Sequence, residues 1–385
     1  MFKCKKMVSV FMASVICLGL QTSVFANENV SSESLDSSFS SSLETQAAET
    51  AFLDIKDQII KDYGELYELD DFSYDYKVRD NQGKKYLDIN VYVDMTLTRH
   101  PSQSPYVLGM QEALNEVEDI SIKNELQAEI DSYVKEIETM YFNIPDSATF
   151  TYAIELDNNK NLRTKSSDAN YKLFYRTDTD EEILLIDTDS LAEVEDFDEV
   201  YQSGYKALEK LESVAKTPLL NSDSTASTKA SVSYDRIAAR DWAFDNWDAT
   251  PEYPSSTVAG TDCANFVSKA LNAGGIPEDK SGKWYRAATW GGWPGDHWFR
   301  TGYNGQTGVV IYMKNKGYFY KDSDESVIAA GCIMYWNNTS HVALVTAGDG
   351  VTIKYTQHGA SQTKNTVYKK SEVSASFYKA SKSIT

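Results

Sequence analysis

The segment TDCANFVSKALNAGG, residues 261–275, most constrains the fold of this chain because it predicts a helix that begins at a cysteine. Thr261 and Asp262 can each cap the start of a helix. Apolar residues follow Cys263 at four, seven and eight positions and form one stripe, and a Gly-Gly pair ends the helix. A thiol on the first turn lies where backbone N–H groups and the helix dipole favour a thiolate. Cys263 is therefore a candidate nucleophile, and the alternative is a small buried residue.

The first 26 residues predict a secretory signal peptide. Three lysines precede the short apolar run Met7–Leu20, and Val24–Ala26 is a small-residue cleavage pattern. The apolar run is too short for a stable membrane span. We expect a secreted protein that begins near Asn27 and has no integral membrane segment after removal of the signal.

Removal of the signal leaves two cysteines, Cys263 and Cys332. A secreted protein with two cysteines can join them in one disulfide. The competing interpretation keeps Cys263 as a reactive thiol and Cys332 as a packing residue of a strand. The sequence leaves both open.

The charge of the chain is unevenly distributed. Residues 27–229 contain 18 Lys and Arg against 43 Asp and Glu, whereas residues 230–385 contain 16 against 14. Such a difference favours two domains. The acidic chain argues against nucleic acid as a partner.

The predicted boundaries follow composition. Residues 27–49 are rich in Ser, Glu, Ala and Thr and are expected to form a disordered linker. Residues 50–215 predict an acidic α+β domain of unknown role, residues 216–231 a second linker, and residues 232–385 a second domain.

Within the acidic domain, the spacing predicts a helix near Phe52–Tyr63 and a hairpin with its turn at Asp80–Gly83. One long helix is expected over Leu114–Tyr141, then three strands and a closing helix at about residues 193–214. Helices on one face of an antiparallel sheet resemble a cystatin-like module in outline. That outline motivates the hypothesis that this domain inhibits the other.

In the second domain, five large aromatic residues lie within residues 284–298, and glycines between them argue against a regular element. They either form a satellite core or line a substrate groove, for which Trp290 and Trp293 are candidates. Strands are predicted at residues 331–336, 341–347 and 351–358, and Gly348–Gly350 is a tight turn that makes the last two a hairpin.

The hairpin supplies partners for the thiol. A thiol nucleophile needs a base, and the base needs an orienting group. His341 opens one strand and His358 ends the next, and neighbouring strands lie about 4.8 Å apart. We expect Cys263 to attack, His341 to take and return the proton, and His358 or Gln357 to hold the imidazole, with Asn365 as a third option. The backbone N–H of Cys263 can stabilise an oxyanion.

The cysteine segment and the helix upstream of it resemble the family of secreted bacterial proteins called "Putative amidase domain". The hallmark of that family is Asp-Cys-(Thr/Ala)-Asn-Phe-Val-Ser-(Gln)-Ala-Leu-x-Ala-Gly-Gly, and Lys269 stands here where Gln is usual. The run GCIMYW…SHVALVT is similar to a block of papain-like cell-wall hydrolases of the CHAP and NlpC type. In that block Asp is usual where Cys332 stands here.

The resemblance implies a papain-like fold, in which the cysteine helix packs on an antiparallel sheet. It also implies a triad of Cys263, His341 and His358, although the third position is Glu or Asn in CHAP-like relatives. Asp262 and Asn265 match motif positions that flank the site and are candidates for substrate binding.

Two functions remain after the sequence is considered. The first is a secreted cysteine amidase or peptidase that acts on cell-wall peptides or another amide substrate. The second is an extracellular binding or adhesion module with an inactive papain-like fold, which a Cys263–Cys332 disulfide would favour. No cofactor or metal is expected, because the cysteines and histidines lack the spacing of metal ligands.

Overall fold

The computed structural model of the 385-residue chain describes residues 32–81, 83–156, 172–176, 182–187, 194–209, 211, 232–250, 262–282, 284–285, 287–290, 293–297, 308–337, 341–358, 362–370 and 374–385. The predicted signal peptide lies outside these residues, as does the whole of the predicted linker at 216–231. Contacts divide the chain into Met1–Ser42 and a second unit, Leu43–Thr385. All contacts described below lie within the second unit.

The described helices are α1 (Ser32–Tyr63), α2 (Pro105–Glu116), α3 (Ile120–Met140), α4 (Phe197–Tyr205), α5 (Arg236–Asn246), α6 (Cys263–Ala273) and α7 (Val309–Asn315). The described strands are β1 (Tyr67–Asn81), β2 (Lys84–Leu97), β3 (Asp146–Leu156), β4 (Lys172–Arg176), β5 (Glu182–Asp187), β6 (Ala287–Trp290), β7 (Trp293–His297), β8 (Phe319–Asp322), β9 (Ile333–Trp336), β10 (Val342–Gly348), β11 (Ile353–Gln357), β12 (Thr363–Val367) and β13 (Ala375–Ala380). The mixed α+β class predicted from the sequence is confirmed.

Strands from both predicted domains share one sheet. Its order is β1-β2-β3-β12-β11-β10-β9-β13-β8, and β4-β5 and β6-β7 form two small sheets. All neighbours in the large sheet are antiparallel except β3 and β12, which pair in parallel at Thr149 and Thr366. The structure thus differs from the expectation of a separate acidic domain. The difference in charge did not reveal that β3 would cover the edge of β12, which would otherwise be an unpaired edge strand.

Helix α1 begins at Ser32, inside the segment predicted to be a disordered linker. From residue 47 onward the helix buries small residues, Ala47, Ala48 and Ala51, in line with Ile55. Alanines at this spacing form a helical apolar stripe that a count of large apolar residues overlooks.

The long helix predicted over Leu114–Tyr141 is two helices. α2 ends at Glu116, and Asp119 caps α3 through its side chain, which accepts hydrogen bonds from the N–H groups of Ser121 and Ile122. An aspartate at this position favours a new helix start. The helical spacing of apolar residues continues across residues 117–119, so the sequence pattern did not indicate that one helix ends and another begins there.

The sheet around the predicted site is covered on both faces. Ile333, Val342 and Leu344 belong to a core cluster that includes Cys263 and the buried face of α6. The alternate residues of the same strands, with Cys332 and Trp336 among their neighbours, form a second cluster. Successive strand residues point to opposite faces, so the two clusters lie on opposite faces of the sheet. Helix α6 therefore lies over one face of β10 and β11.

Candidate functional site

Cys263 is the first residue of α6 and is fully buried. The first hydrogen bond of the helix joins the Phe266 N–H to the Asp262 carbonyl. Asp262 occupies the N-cap position, but its side chain does not cap the helix. Its carboxylate instead accepts hydrogen bonds from the Asn265 side chain at 2.9 Å and from His358 at 2.7 Å. The predicted helix start at Cys263 is confirmed.

His341 lies one residue before β10 and is 3% exposed. Its Nε2 lies 2.6 Å from Oε1 of Gln357, the last residue of β11. An amide oxygen only accepts, so Nε2 carries the hydrogen of the neutral ring and Nδ1 is the nitrogen that can take a proton. The Trp336 ring contacts the imidazole edge to face, with the ring centroids 4.5 Å apart.

His358 has different partners from those predicted for a third triad residue. Its Nδ1 bonds to Asp262, and its Nε2 lies 2.9 Å from the backbone carbonyl of Asn246 at the end of α5. Its ring stacks on Phe266 at 4.2 Å. The structure therefore gives the place beside His341 to Gln357, the alternative considered from the sequence, rather than to His358.

A β-bulge explains why Gln357, and not His358, lies beside His341. β10 and β11 pair as Ala347–Lys354 near the turn but as Val345–Tyr355 beyond it, a shift of one residue. Continued from there, the register puts Gln357 on the same face as His341 and turns His358 toward α6. Because a shift of one residue moves side chains to the other face, an unbulged hairpin would have placed His358 beside His341.

Short links connect the proposed nucleophile to the proposed base. Cys263 follows Asp262 in the chain, Asp262 bonds His358, and His358 follows Gln357, which bonds His341. Cys263 belongs to the core cluster on the α6 face of the sheet. The His341 ring contacts Trp336, which belongs to the cluster on the other face. His341 lies one residue before the first residue of β10.

The candidate substrate-binding residues have different environments. Asp262 and Asn265 are buried, and their side chains bond each other. Trp290 and Trp293 are paired across the β6-β7 hairpin, in the segment for which no regular element was expected. The structure describes their backbone only. Trp284 is a core residue, because it is fully buried, donates to the Ser268 hydroxyl and stacks on Tyr312.

The two cysteines of the described residues do not form a disulfide. Cys263 and Cys332 belong to core clusters on opposite faces of the sheet. Burial raises the pKa of the Cys332 thiol, so Cys332 stays protonated and has the character of a core residue.

The described residues contain no group of three or more His, Cys, Asp or Glu side chains arranged to hold a metal ion. Among the helices described above, none combines the length and apolar character required to cross a membrane.

Comparison with known families gives one result for this region. Residues 233–382 match a family model described as "Putative amidase domain". Comparison of the chain with curated proteins and with solved structures gave no match in either case. The matched segment runs from just before α5 to just after β13 and includes Cys263, His341, Gln357 and His358. This part of the chain is thus similar to an amidase-like family, which indicates a hydrolase that acts on an amide substrate.

Proposed function

We propose that this protein is a secreted, cysteine-dependent amide-bond hydrolase with a papain-like arrangement of Cys263, His341 and Gln357. The observation that carries the proposal is the 2.6 Å contact between His341 Nε2 and Gln357 Oε1, at the end of the strands that α6 covers. A buried imidazole held in one tautomer is the base that a thiol nucleophile needs. The family match of the same segment supports the amide class of substrate.

The reaction follows from these roles. His341 Nδ1 takes the thiol proton as Cys263 Sγ forms a bond to the substrate carbonyl carbon. The resulting imidazolium gives that proton to the departing amine as the C–N bond breaks, which leaves a thioester on Cys263. Water then attacks the thioester with His341 again as the base, and the carboxylic acid and the thiol are released. The first-turn N–H of Cys263 is the candidate donor to the oxyanion.

The substrate class is an amide of a peptide, and bacterial cell-wall peptides are the specific candidate. The predicted signal peptide supports an extracellular substrate. The excess of acidic residues in 27–229 disfavours tight association with anionic wall polymers, so we expect recognition of the peptide rather than of the polyanion.

Alkylation of the thiol tests the mechanism. The mature chain would be treated with iodoacetamide at near-neutral pH, and labelling of Cys263 and Cys332 would be followed by peptide mass. We expect His341→Ala to slow alkylation of the buried Cys263 by about 10²-fold or more, the usual size of a general-base contribution. Gln357→Ala should slow it less. Labelling of Cys263 that is indifferent to His341→Ala would refute the proposed base.

Digestion tests the substrate class. Cell-wall peptides and unrelated peptides would be incubated with the wild-type chain, and new amino groups would be counted with an amine-reactive dye. We expect release that Cys263→Ala abolishes and Cys332→Ala leaves intact. No release from any peptide by a chain whose Cys263 is activated would exclude peptides as the substrate class. Binding of peptides without release would instead favour the adhesion module.

A further inference from the structure

Asp262 and His358 form a buried pair in which every polar atom has a partner. Their side chains are 5% and 4% exposed, and Nδ1 lies 2.7 Å from the carboxylate. The other carboxylate oxygen accepts from Asn265, and the other ring nitrogen faces the Asn246 carbonyl. A buried hydrogen-bonded pair with both partners satisfied in this way holds its neighbours in one geometry.

Each member of this pair is joined by a peptide bond to a residue of the proposed mechanism. Asp262 precedes the nucleophile Cys263, and His358 follows Gln357, which orients His341. Consecutive Cα atoms are separated by a fixed distance of about 3.8 Å. The contact between Asp262 and His358 therefore sets the distance from the first turn of α6 to the end of β11.

The pair also affects the backbone N–H groups of the first turn of α6. Asp262 stands at the N-cap, where a carboxylate ordinarily accepts from the N–H groups of that turn. Because its two oxygens bond side chains instead, Asp262 makes no side-chain cap. The N–H groups of the first turn, including that of Cys263, are thereby not taken up by the carboxylate that precedes them.

We propose that Asp262 and His358 are a positioning pair, which aligns the Cys263 thiol with the His341–Gln357 pair without contacting substrate. This inference rests on the proposed function. It also assigns to Asp262 a role in place of the substrate binding expected from the sequence, and to His358 a role other than that of third triad residue.

The ring of His358 also packs on Phe266, so the test must separate packing from hydrogen bonding. His358→Phe keeps an aromatic ring beside Phe266 but has no nitrogen to donate. His358→Asn loses the ring but has a side-chain amide that can donate to Asp262 in place of Nδ1. The first variant therefore keeps the packing and loses the hydrogen bond, and the second variant does the reverse.

The measurement is the rate of Cys263 alkylation by iodoacetamide in the full mature chain. Misplacement by about 1 Å can cost about 10²-fold in an aligned reaction. We expect His358→Phe to slow alkylation by about 10- to 100-fold and His358→Asn to stay within about threefold of wild type. Protection of Cys332, which is buried on the opposite face, reports in the same experiment that each variant is folded.

A substitution of Asp262 removes the same Asp262–His358 contact through the other partner. Asp262→Ala should slow alkylation as much as His358→Phe, and the double variant should be no slower than the slower single variant, because both remove one interaction. His358→Phe as fast as wild type, or His358→Asn as slow as His358→Phe, would overturn the positioning role. So would additive effects of the two substitutions.

Failure of the proposed function would look different. The His341→Ala substitution would then leave the rate of Cys263 alkylation unchanged, before any change at Asp262 or His358. An activated wild-type thiol that is insensitive to the pair would leave the hydrolase proposal intact and remove only the positioning role.

Discussion

The region of the large sheet around β2 and the region around β10 and β11 are built differently. Along β2, residues from Leu87 to Leu97 alternate between buried and half-buried for most of the strand, since only one face is fully covered. In β10 and β11, every residue is buried. The comparison shows that one sheet can combine a one-sided region, rich in acidic residues, with a two-sided region that holds the proposed chemistry.

Polar side chains of the two regions bond to each other. Lys354 of β11 is 1% exposed, and its ammonium lies 2.7 Å from the Asp146 carboxylate at the start of β3. Asn365 donates to the same aspartate at 2.9 Å. The Tyr67 hydroxyl donates to Asp349 at 2.8 Å. The acidic region therefore supplies the partners of polar groups that the amidase-like region buries, and this dependence can be tested.

The largest effect is expected when the acidic region is removed. Residues 232–385 alone would leave Lys354 without its carboxylate and the β3 side of β12 unpaired, so we expect loss of cooperative unfolding and of rapid Cys263 alkylation. Circular dichroism during a urea titration and the iodoacetamide rate would measure both. A shortened chain that folds and reacts faster than the full chain would show instead that the acidic region inhibits the site, as its cystatin-like outline suggested.

A substitution of the shared ion pair should have the next largest effect. Asp146→Ala leaves the Lys354 ammonium buried and unpaired, and we expect the free energy of unfolding to fall by about 3–5 kcal/mol, as for other broken buried pairs. Urea denaturation would measure it, and the double variant Asp146→Leu/Lys354→Met should recover most of the loss.

An exposed pair between the same regions serves as the control. Lys370 bonds Glu199 at 2.7 Å, but the two side chains are 59% and 63% exposed. Glu199→Ala should therefore cost about 0–1 kcal/mol. A cost equal to that of Asp146→Ala would mean that burial does not distinguish the two contacts.

The smallest effect is expected at Glu325, which lines a cavity of about 560 Å³ between the two regions. Burial raises the pKa of this carboxyl above its ordinary value. The folded state then disfavours the charged form, so stability is lost as the pH rises through the unfolded pKa toward the folded pKa. Glu325→Gln should stabilise the protein at pH 7 and have little effect well below the unfolded pKa. Stabilisation that is equal at both pH values would contradict this origin.

The local features of the site were predictable from the sequence, and the long-range ones were not. The apolar stripe after Cys263 and the run HVALVTA predicted α6 and β10, because periodicity is a local signal. The choice between Gln357 and His358 depended on a bulge at Val345–Ala347, which no residue pattern marked. The partner of Lys354 lies 208 positions earlier in the chain, beyond the range of any local pattern.

The parallel pairing of β3 with β12 also has a consequence for folding during synthesis. Thr149 is made long before Thr366, its partner in the sheet. Until β12 emerges, β3 has an exposed edge and Asp146 lacks its Lys354 partner. Pairings between residues so distant in the chain form slowly, and exposed strand edges invite association with other chains. The early strand β3 therefore depends on a strand made much later to protect its edge.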